Sequence, residues 1–248
     1  MANLWALTLR ELKSLWYSPI AYAIGALFLV LQGFVFWLLV AALNDPRSEA
    51  SFTIAQAFFG PTFFYSIAVL ITVPFLTMRT FSEEKRTGSI ELLLTAPVTD
   101  AQVVLSKFLG AWIAYILLWA STAVFFLMLR SLTAFDWGPV LTGYLGTWLL
   151  GGVLIAIGIL ASSLTRNQVI AAFLAFVILM LLFSVGILDW FFKDPETSRL
   201  IHYLSLLEHL TDFSKGIVDT RPLFYYLSLT GIALFLTGRV IRNPRWRS

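Results

Sequence analysis

Residues 20–43 read IAYAIGALFLVLQGFVFWLLVAAL, 24 consecutive residues without a charge. A helix rises about 1.5 Å per residue, and crossing about 30 Å of hydrocarbon takes about 20 apolar residues. The stretch therefore predicts a membrane-spanning helix. A secretory leader has an apolar core of only about 7–15 residues followed by small residues. This run is longer and is followed by Asn44-Asp45-Pro46, so it reads as a retained span.

The same count, carried outward from Ile20–Leu43, finds five more uncharged runs. They are Gln56–Met78 (within Ala50–Met78), Phe108–Leu129, Trp137–Thr165, Asn167–Leu188 and the shorter Pro222–Gly238. The expected fold is an all-α integral membrane protein, one transmembrane domain over residues 1–248 with six transmembrane helices. Composition agrees. Only 12% of residues are charged and 59% are hydrophobic, whereas a soluble domain carries about 25% charged residues to keep its surface wet. The absence of cysteine excludes disulfides, thiolate metal sites and cysteine nucleophiles.

Lysine and arginine placement sets the expected orientation, because cytoplasmic loops carry the excess of both. With the N-terminus inside, the inner segments hold Arg10, Lys13, Arg79, Lys85, Arg86, Lys107, Arg166, Arg239, Arg242, Arg245 and Arg247. The outer ones hold only Arg47, Arg130, Lys193, Arg199, Lys215 and Arg221, mostly among acids. Both termini are thus expected in the cytoplasm, with the basic tail and Trp246 against an anionic inner leaflet.

Three segments outside the spans carry structure of their own. Residues 1–19 read as an interfacial helix, since Trp5, Leu9, Leu12 and Trp16 form one apolar stripe with Arg10, Glu11 and Ser14 opposite. Ser18-Pro19 then supplies a cap and a first-turn proline for the first span. The inner link 79–100 contains a charged helix end (Glu83, Glu84, Lys85, Arg86), Gly88 as a left-handed cap, and a short apolar piece Ser89–Thr95 stopped by Pro97. Thr99 and Gln102 resemble a capping box for the third helix. The outer segment 189–221 predicts one or two short helices before the last span, with Leu200, Leu204 and Leu207 at helical spacing.

No G-x-x-x-x-G-K-[ST] loop is present, so the chain lacks the glycine-rich cradle that an ATPase of that type needs. No charge lies near the centre of a predicted span, which argues against an ion-coupled carrier. His202 and His209 both fall in the outer segment, and His209 is expected to hydrogen-bond a neighbouring helix end. Gly143, Thr147 and Gly151 repeat at four-residue spacing in the fourth span. Small residues let helices approach closely, so this stripe suits packing inside one bundle and, second, a dimer face. Pro61 and Pro74 can kink the second span. On physical grounds the link 79–100 is either a knob that docks in a partner's groove or a helix that covers its own bundle.

The run FLTMRTFSEEKRTGSIELLLTAPVTDAQVVLSKFLGAW, residues 75–112, resembles the cytoplasmic loop of type-2 ATP-binding-cassette (ABC-2) permeases, above all the gliding-motility-associated and copper-maturation-associated ones. Arg79, Phe81, Ser82, Glu83, Glu84, Lys85, Gly88, Ser89, Ile90, Glu91, Leu93, Leu94, Pro97, Lys107, Leu109 and Gly110 carry the match. The likeness extends to Arg10–Pro19 and to Glu208–Asp219. It implies a dimer of permease chains, identical or paralogous, above two copies of a separate ATPase that holds the ATP and Mg. It assigns the coupling contact to Glu83, Glu84, Arg86, Gly88, Glu91 and Leu94, with Arg10 and Glu11 as its second element. The implied protein is a multi-pass permease subunit of the bacterial cytoplasmic (inner) membrane, with no catalytic, cofactor or metal residues in this chain. The alternative is a module that passes ATPase motion to an extracytoplasmic partner without moving substrate.

Overall fold

The computed structural model describes residues 2–44, 53–89, 99–190 and 194–242. Among these the chain is helical, with no strand. The helices are α1 (Ala2–Trp16), α2 (Pro19–Asn44), α3 (Ile54–Phe59), α4 (Phe63–Thr77), α5 (Ser82–Thr87), α6 (Asp100–Ser121), α7 (Ala123–Leu132), α8 (Gly138–Ser163) and α9 (Gln168–Ser184). A 3₁₀ turn (Val185–Trp190), α10 (Pro195–Leu204), α11 (Glu208–Ser214) and α12 (Thr220–Arg242) complete the order. Six of the resulting rods are long and apolar enough to cross a membrane: α2, α4 running on into α5, α6 with α7, α8, α9 with its 3₁₀ turn, and α12.

Local chemistry explains where the rods differ from the uncharged runs. The second run contains Gly60-Pro61, and α3 ends there, because the residue before a proline is pushed out of helical geometry. Thr53 and Gln56 form a capping box that starts α3. Thr62 accepts a bond from the Tyr65 amide at 3.2 Å and restarts the chain as α4. The third rod begins at Asp100, behind the Thr99–Gln102 capping box, and so extends eight residues ahead of the run Phe108–Leu129. The last reaches Arg242 rather than Gly238.

Helix α8 is the axis of the bundle, buried along most of its length, and α3, α4, α6, α9, α11 and α12 all pack on it. Four of its glycines make this possible. A β-carbon at Gly143, Gly146, Gly151 or Gly158 would come within 3 Å of Phe59, Phe213, Tyr115 or Thr77 respectively. Tyr65 donates to Thr147 at 3.4 Å. The stripe Gly143, Thr147 and Gly151, which also suited a dimer face, thus faces this chain's own side chains, leaving those positions no outward surface. Around it lies an aromatic core of Phe28, Phe58, Phe59, Tyr65, Trp119, Phe126 and Tyr144, packed edge to face and offset.

The outer rods are thinly covered. α2 buries only Phe28, Gln32 and Val35, and Val30, Phe34 and Trp37 are exposed. α9 likewise exposes Val169, Phe173 and Leu181. Buried hydroxyls in the spans donate back to the preceding turn, as Thr72 of α4 does to Ala68 and Thr237 of α12 to Ala233, which satisfies them without a partner from another helix.

At the end of the bundle opposite α1, α10 and α11 fold back on the rods. Ile201, Leu206, Leu210 and Phe213 point inward while Leu200 and Leu204 point out. Tyr226 donates to the Leu206 carbonyl at 2.8 Å, and Thr142 to that of Phe213 at 2.6 Å. His209 meets the Tyr203 carbonyl at 3.0 Å, near the end of α10, as expected. His202 lies 3.3 Å from Asp189 and 3.6 Å from Glu208.

The α8 packing is tested by one pair of substitutions. Gly151→Ala drives a methyl into the Tyr115 ring and should cost about 1–3 kcal/mol, as overpacking does. Gly231→Ala has no heavy atom within 4 Å and should be neutral or slightly stabilising. Thermal unfolding of the detergent-solubilised chain should show a midpoint several degrees lower for the first variant alone.

Candidate functional site

The candidate residues gather at the end of the bundle where α1, α5 and the start of α6 meet. Helix α1 lies against α6 because Gly110 lets it: a β-carbon there would sit 2.9 Å from the β-carbon of Glu11. This contact turns Leu4, Thr8, Glu11, Leu12 and Leu15 inward and leaves Trp5, Leu9 and Trp16 exposed. The tryptophan stripe is thus free for the membrane interface. Leu12, expected on that stripe, turns inward instead, and of the residues opposite it Glu11 packs towards α6 while Arg10 and Ser14 are exposed.

One turn before Gly110, Lys107 projects from α6 into the joint, its side chain only 1% exposed. Its ammonium lies 2.7 Å from Glu84 Oε1 and 3.3 Å from Glu11 Oε1, and 5.1 Å from the centroid of the Phe81 ring. Arg10 reaches the same two carboxylates, at 2.9 Å from Glu11 and 3.7 Å from Glu84. Two cations and two anions thus form one neutral network across three helices. An unpaired buried ammonium would cost several kcal/mol, so α1 and α5 must both stay close to α6.

Helix α5 is held from its other side by α8. The Ser162 hydroxyl accepts the amides of Phe81 and Ser82, both at 3.2 Å, and donates to the Met78 carbonyl at 3.1 Å. The Ser82 hydroxyl also donates to Met78. Lys85 donates to the Ser163 carbonyl at 2.5 Å, a cation at the C-terminal end of a helix, where the dipole favours it. Glu83 and Glu84 occupy the first turn of α5, Lys85 and Arg86 the last, the arrangement that the helix dipole favours. Gly88 ends the helix with φ of 73°, the left-handed conformation that glycine adopts without a steric cost.

The predicted coupling residues therefore divide into two sets. Glu11 and Glu84 point inward and hold Lys107. Arg10, Glu83 and Arg86 are much more exposed, Glu83 and Arg86 making an open pair at 3.8 Å. Glu91 and Leu94 lie outside the described residues. Lys107 is the hub that charge reading alone had placed only among the inner-face cations. Its signal was the small pair Gly110-Ala111 at i+3 and i+4, which marks a face open to another helix. Ser162 carried no comparable signal. Among the described residues no three histidine and acidic side chains are arranged to hold a metal ion.

Removing the hub should be costly. Lys107→Met leaves two mostly buried carboxylates facing each other and should destabilise the chain by about 3 kcal/mol or more. Adding Glu84→Gln to Lys107→Met should recover part of that loss. Chemical or thermal unfolding of the two single variants and the double variant measures this coupling.

The geometry can be set beside known proteins. A family model described as ABC-2 family transporter protein matches residues 75–236. The match covers well over half of the chain, from the end of α4 through most of α12, and takes in the α5 joint and Lys107. No curated protein is significantly similar to the chain. With six membrane-length rods around a helical core, and with Glu84 and Lys107 of the charged joint inside the matched region, the chain belongs to the ABC-2 family of transporter proteins, as the membrane-embedded permease subunit of an ATP-binding-cassette transporter.

Proposed function

We infer that the end bearing α1 and α5 faces the cytoplasm and receives the stroke of a separate ATPase. The observation that carries this reading is the Glu84–Lys107–Glu11 network. It joins the two elements that an ATPase would touch, α1 and the 79–100 segment, to the long rod α6. Arg10, Glu83 and Arg86 offer the exposed charges for docking, with Gly88, Glu91 and Leu94 completing the contact. The working complex is a dimer of permease chains over two ATPase chains, which supply the ATP- and Mg-dependent chemistry, in a bacterial cytoplasmic membrane. The loop residues Arg79–Leu94 favour a gliding-motility-like member of the family.

The interior favours a hydrophobic or amphipathic cargo, exported along the apolar flanks rather than through one chain. Trp119, Tyr65, Tyr115 and Phe126 fill the centre with almost no exposed surface. The same filling supports the second reading, in which the chain passes ATPase motion to an extracytoplasmic partner through α10 and α11. Stable association with such a partner, without measurable transport, separates the two.

Two experiments test the reading. In the complex reconstituted with its ATPase, Gly88→Pro cannot adopt a positive φ and Glu84→Lys reverses a charge in the network. Each should lower permease-dependent ATP hydrolysis several-fold while the ATPase alone is unaffected, and unchanged hydrolysis in both variants would count against the coupling role. Because the chain has no cysteine, single Thr87→Cys and Arg199→Cys variants report orientation directly. A membrane-impermeant maleimide applied to intact cells should label the second and spare the first.

A further inference from the structure

Beside the charged joint lies a cleft of about 170 Å³ lined by Ser14, Ser18, Arg79, Glu83, Glu84 and Lys107, among others. Through Leu15, Ala21, Ile24 and Leu76 its wall is shared with an apolar groove of about 400 Å³ between α2 and α6. The groove is lined by the small residues Gly25, Ala26 and Ala114 together with Leu117 and Leu118, and Gly25 lies against Leu118. It is flanked by Trp16, Tyr22 and Leu29, all exposed, so it opens sideways. From Ala21 to Leu29 it runs about 12 Å along α2 at the helical rise.

The polar end is unusual for having one free group of each sign. The Arg79 guanidinium gives Nη1 to the Ser18 hydroxyl at 3.0 Å, but its buried Nε–H has no partner among the described residues. Glu84 uses Oε1 on Lys107 and Arg10, while its buried Oε2 has none. Buried donors and acceptors left unmatched are costly and call for a partner such as a water, an ion or a ligand, and of those among the described residues only these two belong to residues that line the cleft. An unmatched guanidinium N–H suits a phosphate oxygen. An unmatched carboxylate oxygen suits a group that donates, such as a primary ammonium.

We propose that this cleft and groove bind one phospholipid with a zwitterionic phosphate–ammonium head, of the phosphatidylethanolamine type. The phosphate lies against Arg79, the ammonium against Glu84, and one acyl chain lies in the groove between α2 and α6. The three acids and two cations lining the cleft (Glu11, Glu83, Glu84, Arg79, Lys107) disfavour a head with net negative charge. A trimethylated head has no N–H to give Glu84. The proposal rests on these two cavities and does not depend on the ATPase assignment.

Native mass spectrometry of the full chain, purified in mild detergent and exposed to equal amounts of phosphatidylethanolamine, phosphatidylglycerol and phosphatidylcholine, tests it. One phosphatidylethanolamine per chain should be retained at least fivefold over either competitor. Gly25→Phe, which places a ring in the groove beside Leu118, and Arg79→Gln should each reduce that retention at least fivefold. Val30→Phe, on the open face of the same helix, should leave it unchanged. Equal or reversed preference in the unaltered chain overturns the proposal without any variant having to fold. Undiminished retention in folded Gly25→Phe and Arg79→Gln overturns it as well.

Discussion

Lipid offers no hydrophobic drive for one helix to leave it for another, so the bundle depends on how closely its helices can approach. Helix α8 meets that demand by being thin where its neighbours are thick. Gly143, Gly146, Gly151 and Gly158 each receive a bulky side chain, from α3, α11, α6 and α4 in turn. Each of these contacts forms many short dispersion attractions that a β-carbon would prevent. Many of the remaining hydroxyls bond their own helix, and some pair within the core, as Thr122 and Tyr144 do at 2.8 Å. The aromatic cluster around Trp119 then fills the space that the glycines leave.

At the end of the bundle bearing α1 and α5 the controlling force changes from contact to charge. Lys107 sits two turns inside α6, where an ammonium is tolerated only among carboxylates and an aromatic face. Glu84 comes from the link after the second span and Glu11 from the interfacial helix, so segments far apart in sequence share one cation. A second pin, Arg242 to Asp100 at 2.8 Å, ties the end of the last rod to the start of the third. A network of this kind fixes the register of α1 against α6, because sliding by a turn would strand both partners.

Counting charges locates the six rods well, because a 20-residue apolar run has few other uses. The same counting fails where the chain breaks without a charge. The Gly60-Pro61 interruption hides inside an apolar run, and the start of α6 hides behind Lys107. Gly88 and the Thr99–Gln102 box were readable because each is a local device with one steric or hydrogen-bonding purpose. The α1 stripe was readable too, but its opposite face was not. Whether Glu11 meets water or Lys107 depends on Gly110, ninety-nine residues away, and periodicity within one helix cannot report that. The division of the predicted coupling residues into inward and outward sets is likewise a tertiary fact. The Ser162 clasp is the least readable feature, since a serine near a helix end is commonplace.

That clasp decides how the joint of α1, α5 and α6 would carry a load. Between α4 and α5 the backbone turns at Met78–Phe81, where a helix would ordinarily have a soft spot. Ser162 takes hold of both sides of the turn, two amides and a carbonyl, and Lys85 fastens the next turn to the end of the same helix. A torque on α5 therefore has no free hinge in which to dissipate. It is carried into the stiff central column α8 on one side and, through Lys107, into α6 on the other. The end of the bundle bearing α1 and α5 is thus a bracket held from two sides, by α8 and by α6.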